Sequence, residues 1–288
     1  MAPLTHWDRL VRYVSAKDGR VRYGEPILDS RDDVERQITA GAAVKVRVLE
    51  GSSALTAVPT DEEDEIQQLL GPLSPAEVPI QVPIVAESGF DFPEYPTLFI
   101  KPSQTIADTR ESVLIPKLAQ SQCDYEGELT IVIGKDAKNV SEVDALDYVA
   151  GYVVGNDISC RDWQLEKAKA GMMQQWCFSK SFDKYAPLGP AIVSTKVLGD
   201  ASGLRLRTYV NGELRQESNT SDLLFGVRKL VSFLSTGQTL EKGSLIMSGT
   251  PGGVGAAMKP TPQFLKNGDE VVVEIGGIGT LRNVMQFE

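Results

Sequence analysis

Apolar and polar residues alternate from Leu10 to Val14 and again from Val21 to Tyr23, on either side of Lys17-Asp18-Gly19. A period of two broken by Asp-Gly predicts a β-hairpin. Val44 to Leu49 predicts a further strand, and Pro59-Thr60-Asp61-Glu62-Glu63-Asp64-Glu65 a helix start with acids near its positive end. Gly71-Pro72-Leu73-Ser74-Pro75 reads as a linker, which divides the chain into a small β-rich N-terminal domain, 1–70, and a main domain, 71–288. Within the main domain Leu129–Ile133, Tyr152–Val154, Ala191–Val193, Leu204–Val210 and Glu270–Ile275 are short β-rich runs between Gly, Asp and Asn turns. One amphipathic helix is expected where Ser221-Asp222 precede Leu223, Leu224, Val227, Leu230, Val231 and Leu234, an N-cap before an apolar stripe at helical spacing. The pattern is that of an α+β protein dominated by strands.

Composition narrows the partners. The 288 residues are 42% hydrophobic and 24% charged, which is ordinary for a compact fold and excludes disordered and collagen-like classes. A formal charge of −10 repels a phosphate backbone, so nucleic acid is not an expected partner. Cys123, Cys160 and Cys177 form neither a disulfide framework nor a CxxC pair, and reduced thiols in the cytoplasm fit them best. The opening Met1-Ala2-Pro3-Leu4 lacks a basic leader, and no apolar run approaches the ~20 residues of a membrane span, so a secreted or membrane-embedded protein is not expected. His6, near the terminus beside Trp7, is the only histidine and reads as an ordinary surface or packing residue, which removes most Ser-His-Asp, Cys-His and histidine-rich metal mechanisms and leaves carboxylates, lysine or metal-bound water for acid–base chemistry.

Asp124-Tyr125-Glu126-Gly127-Glu128 leads into the apolar Leu129–Ile133 run, and on an extended backbone Glu126 and Glu128 share a face. A solvated strand face is the bland reading of such a pair. Asp157 changes the picture, because it comes just after a second apolar strand, Gly151–Gly155, and three carboxylates at strand ends suit a hard divalent cation. With neither imidazole nor thiolate among the candidates, oxygen-only ligation favours Mg²⁺, with Mn²⁺ or Ca²⁺ as substitutes, over zinc. Arg161, Gln164 and Lys180 come next, and cations beside a metal can hold a carboxylated, chelating substrate; taken singly, each is an ordinary surface charge. Ser248-Gly249-Thr250-Pro251-Gly252-Gly253-Val254-Gly255 lacks the P-loop and GxGxxG signatures. It can present the Thr250 hydroxyl and backbone N–H groups to an anion, or be a cluster of tight turns.

Taken in order, Tyr95-Pro96-Thr97-Leu98-Phe99-Ile100-Lys101-Pro102-Ser103, Asp124 to Leu129, Gly155-Asn156-Asp157-Ile158-Ser159-Cys160-Arg161-Asp162-Trp163-Gln164, Ser179-Lys180-Ser181-Phe182-Asp183, Pro187 to Pro190, Val210-Asn211-Gly212-Glu213, Gly249 to Gly255 and Gly276 to Asn283 resemble the fumarylacetoacetate hydrolase family. The resemblance runs from residue 72 to 288, and the first 70 residues resemble the small variable domain of its shorter members, among them acylpyruvases and oxaloacetate decarboxylases. It implies a mixed β-roll, a homodimer and Mg²⁺ held by Glu126, Glu128 and Asp157. It further implies that Lys180 stabilises the enolate-like charge of a metal-chelated 2-oxo acid, while Lys101, Ser103, Arg161, Gln164 and Thr250 position the substrate. Family members cleave carbon–carbon bonds in acylpyruvates or fumarylacetoacetate, decarboxylate oxaloacetate, or tautomerise and isomerise related dicarboxylates.

The chain departs from the family pattern upstream. Members carry Cys-x-Gly-x-Asn-Tyr and then a His-x-x-Glu dyad that activates water, whereas Val78 to Phe90 is shorter and places Ile84 where the histidine belongs. Glu87 alone remains of the dyad. General-base assistance is worth ~10²–10⁴ in rate, so hydrolysis needs a substitute, for which Glu87 is the candidate. The expectation is an enzyme acting on a carbon–carbon bond next to a 2-oxo acid. The alternatives are a tautomerase or isomerase with the same metal and lysine, and a catalytically silent metal-binding homologue.

Overall fold

The computed structural model describes residues 4–29, 32–85 and 94–288. The hairpin read at the N-terminus is present: Arg9–Ser15 and Val21–Pro26 pair antiparallel, with Val11 opposite Gly24. Lys45–Glu50 continues the sheet, as expected.

The helix start expected at residues 59–65 is not there. Val58–Leu70 is a 13-residue strand lying between Lys45–Glu50 and Arg9–Ser15. Its acids find partners across the sheet rather than at a helix end: Lys45 stands opposite Glu65 and Arg47 opposite Glu63 in the register, Glu62 pairs with Lys17 and Arg22, and buried Asp64 accepts a hydrogen bond from Tyr13 Oη at 3.1 Å. Unlike charges opposite one another favour strand pairing, and residues 58–65 supply no apolar stripe that a helix could bury.

Arg9–Ser15 also pairs with Ala186–Ser194, so the N-terminal strands run on into the principal sheet. Its order onward is Ala186–Ser194, Val149–Asn156, Gly127–Ile133, Leu245–Met247, Gln81–Val85 and Thr97–Leu98. The sheet is mixed, because Leu245–Met247 and Gln81–Val85 run parallel while most neighbours are antiparallel. A second sheet is ordered Glu213–Asn219, Arg205–Val210, Glu270–Ile275, Gly279–Phe287 and Ser112–Ile115.

Gly127–Ile133 is buried along its whole length, and its two faces serve different cores. Leu129, Ile131 and Ile133 belong with Leu206, Val271, Val273 and Leu281 of the second sheet, whereas Val132 belongs with Val153, Leu188 and Ile192. A strand covered on both sides carries a continuous apolar run, and Leu129–Ile133 is such a run. The loop at 71–75, read as a linker, is packed: Leu73 is fully buried, Gly71 N–H donates to Asp108 Oδ1 at 2.9 Å, and Arg12 pairs with the same carboxylate.

The amphipathic helix is shorter than the pattern suggested. It spans Val227–Leu234 and buries Val227, Leu230, Val231 and Leu234, but Ser221 does not cap it. Asn219 Oδ1 instead accepts from Ser221 N–H and starts a separate 3₁₀ turn at Thr220–Asp222, with Thr220 Oγ1 donating to Ala201 O at 2.6 Å. Short polar side chains that bond nearby backbone compete with the helix in this way.

Candidate metal centre

Glu126 and Glu128 flank Gly127 where the Gly127–Ile133 strand begins, and the antiparallel register sets Gly127 opposite Asn156 and Glu128 opposite Gly155. Asp157 therefore emerges beside the two glutamates. Asp157 N–H donates to Glu126 O and Glu126 N–H to Asn156 Oδ1, both at 2.9 Å, so the two strand ends are fastened together. There is no room for larger residues: a Cβ on Gly127 would lie 2.2 Å from Thr208 Oγ1, and one on Gly155 2.5 Å from Thr130 Oγ1.

All three carboxylates are buried, and one oxygen from each lies within 4.8 Å of the others. Two lysines enter the cluster. Lys180, at the end of the Trp176–Lys180 helix, donates to Glu126 Oε2 and Asp157 Oδ2 at 2.8 Å each and stands over the Phe99 ring. Lys101 donates to Asp157 Oδ1 and to Tyr185 O. Arg161, which opens the Arg161–Leu165 helix, places Nη2 2.6 Å from Glu126 Oε1 and donates from Nη1 to Gln164 Oε1 at 3.0 Å.

These neighbours set the electrostatics. Burial pushes the Glu128 carboxyl well above the usual range, and the Asp157 and Glu126 charges push it the same way. Burial acts upward on Asp157 too, but Lys101 and Lys180 outweigh it and hold Asp157 below the ordinary carboxylate value. For Lys180 burial is overcome by Asp157 and Glu126, which keep the ammonium charged; for Lys101 burial prevails and its affinity for a proton falls.

The donor set fits a divalent cation. It is all oxygen, as hard ions require, and Glu128 Oε1 is buried with no hydrogen-bond partner among the described residues. Glu128 Oε2 accepts only from a backbone group, Gly249 N–H, at 2.8 Å. An unsatisfied buried carboxylate oxygen next to two others is the arrangement that an ion with further water or substrate ligands would complete.

The Gly-rich loop does present N–H groups to anions, and those anions belong to the protein. Gly249 serves Glu128, while Gly255 and Ala256 serve Asp124 at 2.7 and 3.0 Å. Gly249 has φ +93°, a conformation that glycine adopts without strain. Thr250 Oγ1 donates to Gly127 O and accepts from Gln216 Nε2, so Thr250 sits against the ligand strand.

The structure thus brings Glu126, Glu128, Asp157, Lys101, Lys180, Arg161, Gln164 and Thr250 together. Ser103 begins a 3₁₀ turn two residues after Lys101 and, among the described residues, makes no hydrogen bond to the three carboxylates. Glu87 lies outside the described residues. Ile84, in the histidine position of the dyad, is buried in the main core and pairs with Leu98; His6 is exposed. Sequence reasoning assigned no role to Asp124 or Gln216. For Asp124 the signal was available, since acids at 124, 126 and 128 alternate on one strand face. Gln216, which accepts from Gly127 N–H, comes from a distant hairpin and left no local trace.

Residues 81–286 match the model of the fumarylacetoacetate (FAA) hydrolase C-terminal domain. The chain belongs to the fumarylacetoacetate hydrolase family. It is an enzyme of that family, and the strand-dominated α+β fold expected from the sequence is the family's fold. A caffeoylpyruvate hydrolase of Neonothopanus nambi is 39% identical over 304 aligned positions, covering 100% of this chain and 96% of that one. That alignment is longer than this chain's 288 residues, so the caffeoylpyruvate hydrolase carries insertions relative to it. An oxaloacetate tautomerase of Xenopus laevis, named as mitochondrial, is 42% identical over 197 residues, 68% of this chain and 60% of that protein. Among solved structures, a 5-carboxymethyl-2-hydroxymuconate delta-isomerase from Mycobacterium smegmatis superimposes with a TM-score of 0.78 at 32% identity, over 97% of this chain and 100% of that one. Hydrolases, tautomerases and isomerases thus all occur among the relatives of this fumarylacetoacetate hydrolase family member. No helix among the described residues is long and apolar enough to cross a membrane.

Proposed function

We propose that this enzyme binds a 2-oxo acid on Mg²⁺ held by Glu126, Glu128 and Asp157, with Mn²⁺ or Ca²⁺ as substitutes, and cleaves the adjacent carbon–carbon bond as in acylpyruvate hydrolysis. The observation that carries this reading is the convergence of three buried carboxylate oxygens within 4.8 Å, with the Lys180 ammonium on two of the three side chains. Likeness to a caffeoylpyruvate hydrolase along the whole chain supports hydrolysis over oxaloacetate-type decarboxylation.

When bound, the ion supplies Lewis-acid polarisation of the 2-oxo group. The protein does the rest. Lys180, fixed between Glu126 and Asp157, offsets the negative charge that grows on the substrate as the enolate of pyruvate leaves. Lys101 buttresses Asp157 from the other side. Arg161, Gln164, Thr250 and Ser103 hold the substrate's carboxylate and remaining oxygens, and Glu87 takes the proton of the attacking water. The water oxygen bonds to the acyl carbon, the carbon–carbon pair of electrons goes to the enolate, and its protonation gives pyruvate and a carboxylic acid. The same reading takes residues 1–70 as a small domain beside a catalytic domain, 71–288, in a cytoplasmic homodimer. The three free cysteines support a reducing compartment.

Acetylpyruvate cleavage, monitored by loss of the enol absorbance, tests this. Turnover is expected to vanish with chelator and in Glu126→Ala; cleavage that survives both contradicts it. A second reading, tautomerisation of a 2-oxo dicarboxylate, is favoured by the lack of any histidine but exposed His6 and by the tautomerase relatives. Keto–enol exchange moves protons and needs no activated water. Solvent deuterium entering C3 of oxaloacetate faster than in buffer with Mg²⁺ alone, without carbon loss, would establish it, and no acceleration over that buffer would reject it.

A further inference from the structure

We infer that Asp124 is a positioning residue that sets the Arg161 guanidinium against Glu126 and ties it to the Gly-rich loop. The inference rests on the reading of the cluster as a metal centre for a 2-oxo acid. Asp124 is fully buried and touches none of the three proposed ligand carboxylates through its own side-chain hydrogen bonds, so whatever it does to the site runs through its partners.

Those partners are four donors from three stretches of chain. Oδ1 accepts from Tyr125 N–H at 2.9 Å and Gly255 N–H at 2.7 Å. Oδ2 accepts from Ala256 N–H at 3.0 Å and Arg161 Nε at 2.9 Å. The Cys123–Asp124 strand pairs with Ser159–Cys160, Asp124 opposite Ser159, and this register delivers Arg161 to the carboxylate. The loop packs directly on it, since a Cβ on Gly255 would lie 2.6 Å from Asp124 Oδ1.

The chemistry demands a carboxylate here. All four neighbours donate, so an amide in either orientation would turn its own NH₂ toward two donors. Held by Asp124 at Nε, the guanidinium presents Nη2 to Glu126 Oε1, while Lys180 takes Glu126 Oε2. Glu126 is thus oriented from both of its oxygens, with Ser159 Oγ also donating to Oε1 at 3.3 Å, and Asp124 governs the hold that Arg161 supplies. The charge-assisted bond from Arg161 to Asp124 is the link through which the loop and the metal ligand share one geometry.

The test is calorimetric titration of oxalate into the protein loaded with Mg²⁺, for wild type, Asp124→Asn, Arg161→Lys and the double variant. Lysine keeps the charge but lacks the fork that reaches Asp124, Glu126 and Gln164 together. Each single variant is expected to weaken oxalate binding about 10- to 100-fold, the worth of one charge-assisted hydrogen bond. The double variant is expected to fall within about threefold of the weaker single, because both remove one coupled interaction. Should Asp124→Asn not fold, Asp124→Glu keeps the charge, displaces the guanidinium by one methylene, and is expected to show the same loss without additivity. Wild-type affinity in the Asp124 variant, or losses that multiply in the double variant, overturns the inference and leaves the metal-centre reading intact. A wild-type protein that binds no oxalate with Mg²⁺ overturns that reading and this inference with it.

Discussion

Glu128→Gln separates what the metal site does for binding from what it costs the fold. In the metal-free protein Glu128 is 1% exposed, its Oε1 has no partner among the described residues, and burial, then Asp157 and Glu126, raise its affinity for a proton. A carboxyl whose folded value lies above its unfolded one contributes its full stability below the unfolded value, near 4.3, and loses it as pH rises through the folded value. As pH rises above that unfolded value a carboxyl buried here is therefore a growing burden on the metal-free fold, and at pH 8 glutamine removes it. One buried, unpaired charged oxygen costs about 2 kcal/mol. At about 2–4 °C per kcal/mol for a chain of this size, the metal-free variant should melt about 5 °C above wild type at pH 8, with the gap closing toward pH 4. Mg²⁺ at a hundredfold excess over its Kd should stabilise wild type by about 2.7 kcal/mol and the variant by much less. Thermal melts with and without MgCl₂ across that pH range read both effects. A metal-free variant that melts below wild type at pH 8, or an equal Mg²⁺ shift in both proteins, refutes the reasoning.

Particular contacts carry other consequences. Gly127→Ala drives a methyl group to 2.2 Å from Thr208 Oγ1, and urea unfolding should show a loss of about 1–3 kcal/mol or more, with Mg²⁺ affinity falling as Glu126 and Glu128 are pushed apart. Ile84→His puts an imidazole into the main core, so it should destabilise by about 2 kcal/mol without raising the rate of acylpyruvate hydrolysis; a gain in kcat would show that the position faces the substrate. Arg110→Met leaves Glu35, whose side chain is fully buried, without the guanidinium at 2.9 Å; the Thr39 hydroxyl at 3.2 Å and Arg282 at 3.6 Å remain. Because Arg110 is 37% exposed the loss is about 2 kcal/mol rather than the larger value of a fully buried pair, measurable by urea denaturation. Lys180→Met should lower kcat by ~10² or more while Mg²⁺ still binds, and unchanged turnover would remove the lysine from the chemistry.

The centre of the molecule was legible because its local pattern and its tertiary role agree. Leu129–Ile133 is apolar without interruption, as a strand covered on both faces must be, and Glu126 and Glu128 precede it at a spacing of two. Asp157 was readable as the acid that ends the neighbouring strand. The outer strands were less so. Val58–Leu70 exposes an acidic face whose countercharges, Lys45 and Arg47, lie more than ten residues away, and nothing local separates that from acids at a helix start. The residues 221–224 fit a helical stripe, but Thr220 commits its hydroxyl to Ala201 O and Asn219 closes a separate turn, so the helix waits until Val227. The Gly-rich loop showed its capacity for anions and not their identity, since Glu128 and Asp124 are more than a hundred residues distant in the chain.

The central claim is that Glu126, Glu128 and Asp157 hold a divalent ion on which this family member makes a 2-oxo acid's enolate accessible. Proton NMR of acetylpyruvate and oxaloacetate with the purified enzyme, with and without Mg²⁺, tracks cleavage and C3 exchange in the same tube. Mg²⁺-dependent loss of the C3 signal, by cleavage or by exchange, that disappears in Glu126→Ala is the expected result. Loss of that signal at the same rate without Mg²⁺, or in Glu126→Ala, would contradict it.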